Sequence, residues 1–90
     1  MILPVQLRMA RAALNWTVRE LAARTGVNKN TISRFEAEKD ILAGSLREIE
    51  KVLVESGIRF VDDDNDYGPG IRMPRRLSQA KLKKRSQKKT

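Results

Sequence analysis

Between Asn28 and Glu36, the residues Lys29, Asn30, Ser33 and Arg34 recur at spacings that share one face of a helix, while Ile32 and Phe35, three apart, take the other. The outward set suits the edges of nucleic-acid bases. Arginine grips O6 and N7 of guanine with two parallel hydrogen bonds, lysine donates to the same edge, and asparagine pairs with N6 and N7 of adenine. Lys29, Asn30 and Arg34 are therefore the foremost candidates for base reading, with Ser33 beside them. Thr31, near the start of this helix, and Thr17 are candidates for holding phosphates together with helix N-terminal amides. Arg19, Arg24 and Lys39 are candidates for the flanking backbone. A helix of this composition alone is an ordinary solvated face; its context decides between the two readings.

Other chemistries fare worse. The chain has no histidine and no cysteine, which removes the commonest general base, thiolate metal sites and disulfides. No clustered acid-base pair supports catalysis, so neither an enzyme nor a cofactor is expected. Asp62, Asp63, Asp64 and Asp66 suggest a calcium loop, but an EF-hand starting at Asp62 needs glycine sixth and glutamate twelfth. Tyr67 and Met73 stand there. A solvated turn is the better reading, and no metal site is expected. Trp16, a lone aromatic at a helix end, is read as core rather than as a base-stacking platform.

The elements that must position the candidate residues follow from apolar spacing. Pro4 suits a helix's first turn, and Leu7, Ala10, Ala13 and Leu14 continue at helical period until Asn15-Trp16. Thr17 and Glu20 form a capping box for a second helix with Val18, Leu21 and Ala22 inward, and Gly26 stops it. A third helix is capped by Asn28 and runs towards Lys39. Ser45 and Glu48 predict a second capping box, opening a fourth helix with Leu46, Ile49, Val52 and Leu53 inward and Gly57 at its end. The period then changes. Ile58 to Val61 and Ile71 to Met73 read as two short strands around a turn-rich loop, most simply a hairpin.

Charge divides the chain unevenly. Residues 1–34 carry six basic residues and one acid, residues 35–73 five basic and ten acidic, and residues 74–90 eight basic and none acidic. One end suits a polyanion and the other does not. The expected organisation is a helical domain over 1–57, a β-hairpin appendage over 58–73, and a disordered basic tail over 74–90. Tail residues Arg75, Arg76, Lys81, Lys83, Lys84 and Arg85 are candidates for salt-sensitive contacts with DNA phosphates. No apolar run spans a bilayer, and the first residues lack the pattern of a signal peptide. A cytoplasmic, nucleoid-associated protein with no membrane partner is expected.

The second and third helices, joined by a tight glycine turn, make a helix-turn-helix whose second member enters the major groove. The run Gln6-Leu7-Arg8, Arg11, Leu14, Trp16 through Ala22, Gly26-Val27 and Thr31 through Glu36 resembles the Cro/CI-type repressors, or XRE-type helix-turn-helix proteins, over roughly residues 4–56. The resemblance implies a mainly α, lambda-repressor-like bundle of four or five helices that binds double-stranded operator DNA as a homodimer. It also implies a structural ion pair between Arg11 and Glu36, and base contacts from Lys29, Asn30 and Arg34. Two residues depart from the pattern: Val18 stands where many members have a phosphate-binding glutamine, and Glu38 where many have glycine. The strand-loop-strand after Gly57 looks like the appendage of small bacterial XRE-type regulators, and its free edge offers a pairing surface to a second subunit.

A transcriptional regulator, most simply a repressor, is the leading expectation. The alternatives are an antitoxin-type protein that grips a partner such as a toxin and represses its own operon, and an architectural nucleic-acid binder working through its tail.

Overall fold

A computed structural model of the chain describes residues 1–78. Four helices, α1 (Pro4–Leu14), α2 (Val18–Thr25), α3 (Lys29–Glu36) and α4 (Ala43–Glu55), precede two short strands, β1 (Arg59–Val61) and β2 (Gly70–Arg72). The class is mainly α with a two-stranded antiparallel sheet, as the spacing predicted. Leu7, Ala10 and Ala13 of α1, Leu21 of α2, Ile32 and Phe35 of α3, and Leu46, Ile49 and Leu53 of α4 converge on one core, which Ile2 and Ile58 close. Trp16, Val18 and Ala22 are half-buried against it. The Val18 side chain is turned inward.

The strands pair Arg59 with Arg72, Phe60 with Ile71 and Val61 with Gly70. Strand alternation puts Phe60 and Ile71 on one face, where both pack against the core. Gln6 ties this hairpin to α1. Its Oε1 accepts the Leu3 amide at 2.9 Å, while its Nε2 donates to the Val61 carbonyl at 3.1 Å and the Gly70 carbonyl at 3.0 Å. Both amide hydrogens are thereby used, which is what allows a glutamine to be 4 % exposed at this joint.

The helix ends share one device. Asn15, Gly26, Glu38 and Gly57 have φ of 59, 75, 66 and 101°, and each follows a helix. After α1, α3 and α4 the amide beyond the left-handed residue bonds five residues back: Trp16 to the Arg11 carbonyl, Lys39 to Arg34 and Ile58 to Leu53. This is the Schellman pattern, which satisfies carbonyls that the helix itself leaves open. Gly26 closes α2 with a single bond from its amide to Ala22.

Three expectations change. The third helix was expected to run towards Lys39 but ends at Glu36, because Glu38 takes the left-handed conformation. The fourth begins at Ala43 with Leu42 as its cap, and Ser45 sits within its first turn rather than capping it. Ala43 is a strong helix former, and the Leu46 amide already bonds the Leu42 carbonyl. The segment from Pro74 is not unstructured at its start: residues 75–78 form a helical turn, with the Leu77 amide on the Pro74 carbonyl. The remainder of the expected tail, with Lys81, Lys83, Lys84 and Arg85, lies outside the described residues.

Candidate nucleic-acid interface

The pair α2–α3 is fixed at its entry, at its turn and at its exit. At the entry, Thr17 Oγ1 accepts the Glu20 amide at 3.0 Å and Glu20 Oε1 accepts the Thr17 amide at 3.1 Å, a reciprocal capping box. At the turn, Thr25 Oγ1 donates to the Leu21 carbonyl at 2.8 Å and accepts the Val27 amide at 3.1 Å. Gly26 then reverses the backbone with positive φ, and Asn28 Oδ1 accepts the Asn30 amide at 2.7 Å to start α3. Thr25 carries no chemistry that composition would flag. Its role appears only once the turn is built around it.

At the exit, two arginines of α1 hold the far end of α3. Arg11 makes a two-pronged bond to Glu36, Nε to Oε2 and Nη2 to Oε1, both at 2.7 Å, while its Nη1 donates to the Trp16 carbonyl at 3.0 Å. The hydrogen bond to Glu36 raises the Arg11 pKa, outweighing the desolvation that acts against it. Arg8 Nη1 donates to the Glu36 carbonyl, placing a cation at the negative end of the α3 dipole. Arg8 was legible only as a basic residue of the first helix; its capping role depends on how α1 crosses α3.

This clamp leaves one face of α3 outward. Ile32 is buried and Phe35 nearly so, whereas Lys29, Asn30, Ser33 and Arg34 are all exposed. Thr31 is half-buried beside them. Among the described residues the Arg11–Glu36 pair is the one ion pair within 4.0 Å, so Lys29 and Arg34 face solvent without a bound carboxylate. A groove between α2 and α3 is lined by Arg19, Ala22, Ala23, Gly26, Val27, Asn28 and Lys29. It brings Arg19, a phosphate candidate, to the same surface as Lys29. Its lining includes the small residues Ala22, Ala23 and Gly26.

The other candidates are placed less centrally. The Arg24 guanidinium lies over the Trp16 ring, 4.1 Å from its centroid, a cation–π contact that restricts its reach. Thr17 is exposed but its hydroxyl is engaged in the capping box. Lys39 is exposed beyond the left-handed Glu38. Arg75 is exposed, and Arg76 donates to the Ser56 carbonyl at 3.2 Å at the end of α4.

The acidic loop is a turn built on its own backbone. Asp64 Oδ1 accepts the amides of Asp66 and Tyr67, each at 2.8 Å, and these bonds lower its pKa. No group of three or more acidic side chains among the described residues is arranged to hold a metal ion, and no helix there is long and apolar enough to cross a membrane.

A family model described as Helix-turn-helix matches residues 7–53, from Leu7 of α1 to Leu53 of α4. That span contains the whole α2–α3 unit and both partners of its clamp. No curated protein matches the chain.

Proposed function

Because the chain belongs to the Cro/CI-type (XRE) helix-turn-helix family of DNA-binding regulators, we propose that it is a sequence-specific repressor that reads the major groove with α3. The observation that carries this reading is the outer face of α3, where Lys29, Asn30, Ser33 and Arg34 are exposed on a helix anchored at both ends. In this reading Arg34 and Lys29 recognise guanine edges and Asn30 an adenine, each good bidentate pair contributing about 1–3 kcal/mol of discrimination. Thr31 and the amides of the first turn of α3 hold one phosphate, and Arg19, Arg24, Thr17 and Lys39 the flanking ones. Repression follows from occupancy of a promoter.

One eight-residue helix reads few base pairs, so we take the working form to be a homodimer on a palindromic site. The two-stranded sheet supports this reading, since its outer edges carry unpaired backbone groups that a second copy can extend.

Fluorescence anisotropy of the full chain, against DNA from its own locus and scrambled DNA at two salt concentrations, tests the proposal. Arg34→Ala is expected to lose roughly 10- to 100-fold in affinity for the native site and most of its preference over scrambled DNA. Arg19→Ala is expected to weaken both DNAs alike and to lower the salt slope by about one. Equal affinity for native and scrambled DNA in the unmodified protein would overturn the sequence-specific reading.

A further inference from the structure

Away from the α3 face, the hairpin presents a second concentration of positive charge. Arg59 and Arg72 are directly opposite one another in the strand register, on the face turned away from the Phe60–Ile71 pair that packs on the core. Both are exposed. Like charges at directly opposed positions destabilise a sheet, and no carboxylate of the described residues lies within 4.0 Å of either. Glu55, Asp62 and Asp63, the acids closest to Arg59 in sequence, and Asp66, the closest to Arg72, are among the carboxylates that stay beyond that distance.

A third arginine is brought to the same place. Pro74 folds the chain over Gly57 so closely that a Cβ there would lie 2.5 Å from its Cγ. This return carries Arg76 back to α4, where Nη2 bonds the Ser56 carbonyl at 3.2 Å. Nη1 of the same residue lies 3.7 Å from the Gly57 Cβ position. Arg76 thereby offsets the negative, carbonyl end of α4, which would otherwise repel an anion. A pocket of about 260 Å³ lined by Gly57, Arg59, Arg72 and Met73 opens between them.

We propose that Arg59 and Arg72, with Arg76 behind them, form an anion site that takes a phosphate group. Two guanidinium forks, one from each strand, line the pocket. The tetrahedral oxygens of phosphate accept from several directions at once, whereas one planar carboxylate is satisfied by a single fork. The phosphate is that of a free phosphorylated molecule or of a DNA backbone. The site is distinct from the α3 face: none of the residues lining its pocket belongs to α3 or to the groove between α2 and α3.

Thermal unfolding of the full chain in chloride, inorganic phosphate or acetate at matched ionic strength tests this site without using DNA. Phosphate at about ten times its Kd is expected to raise the Tm by roughly 5 °C or more, and acetate to leave it unchanged. The double variant Arg59→Gln, Arg72→Gln is expected to lose that response while unfolding a few degrees higher in chloride alone, its strand repulsion removed. Arg34→Gln is expected to keep the response. A second arm identifies the source: if the phosphate is a DNA backbone group, Arg72→Gln lowers the salt slope of DNA affinity by about 0.9. An unchanged slope beside an intact phosphate response assigns a free phosphorylated ligand. The proposal is overturned by acetate acting like phosphate, by a response that survives the double variant, or by neither arm responding. Failure of DNA binding altogether would leave the thermal arm decisive.

Discussion

Arg11 and Glu36 are the residues on which the posture of α3 most depends, because their two-pronged bond is partly shielded, at 23 and 11 % side-chain exposure. Glu36→Gln leaves the guanidinium without its charged partner and is expected to cost about 1–3 kcal/mol in urea denaturation. Arg11→Lys should recover only part, since an ammonium cannot reproduce the planar fork; full stability in either variant would contradict this account. The raised Arg11 pKa means that its contribution is complete below the unfolded arginine value and fades only as pH rises through the higher folded one. The pair therefore holds throughout the neutral range. Asp64 behaves in the opposite sense: its pKa is lowered by two backbone amides, so its contribution is present above the unfolded aspartate value and is lost as pH falls through the lower folded one. The amide resonances of Asp66 and Tyr67 should titrate together with a midpoint below the usual aspartate range. A midpoint at or above that range would show that these bonds do not persist in solution.

At the scale of elements, the four left-handed residues set where helices stop. Gly26 has nothing within 4 Å of a would-be Cβ, so Gly26→Ala should cost only backbone strain, about 1–2 kcal/mol. Gly57→Ala must also displace the Pro74 ring and should cost about 2–4 kcal/mol by thermal unfolding. Glu38→Gly is expected to shift stability the other way by about 0.5–1 kcal/mol, since relief of a strained side-chain-bearing residue exceeds the entropy that glycine adds. Equal costs at Gly26 and Gly57 would show that the Pro74 contact is not held in solution. The two glycines were legible because only glycine enters this backbone region freely. Glu38 was not, since nothing in a glutamate announces positive φ, and the third helix was accordingly expected to extend beyond Glu36. Its early stop comes from the turn closed by the Lys39 amide on Arg34, beside a Glu36 that α1 holds by both side chain and carbonyl.

Across the whole molecule, the Gln6 side chain hydrogen-bonds the helical bundle to the hairpin, whose Phe60 and Ile71 pack on the same core. Gln6 accepts the Leu3 amide and donates to the Val61 and Gly70 carbonyls, so Gln6→Leu removes the donors for two hairpin carbonyls while keeping the volume roughly constant. We expect a loss of about 1–3 kcal/mol and faster amide exchange in β1 and β2 than in α2 and α3. Uniform acceleration across the chain would argue that hairpin and bundle unfold as one unit. The polarity of the molecule is organised on the same plan. Basic residues gather on α1 to α3, acids on α4 and the 62–66 loop, and a second basic cluster sits at the foot of the hairpin.

The linear sequence by itself determined the helix-turn-helix, because its signals are local: a capping box within four residues, a glycine at the turn, and apolar positions repeating at helical period. For the same reason it marked the outward set on α3 and the two strands. What only the tertiary structure decided are the joints. Arg8 on the Glu36 carbonyl, Gln6 across to Val61 and Gly70, and Arg76 on the end of α4 bring together groups whose pairing depends on how elements cross. No local spacing encodes such a crossing; it is set by how the buried faces of four helices and a hairpin share one core.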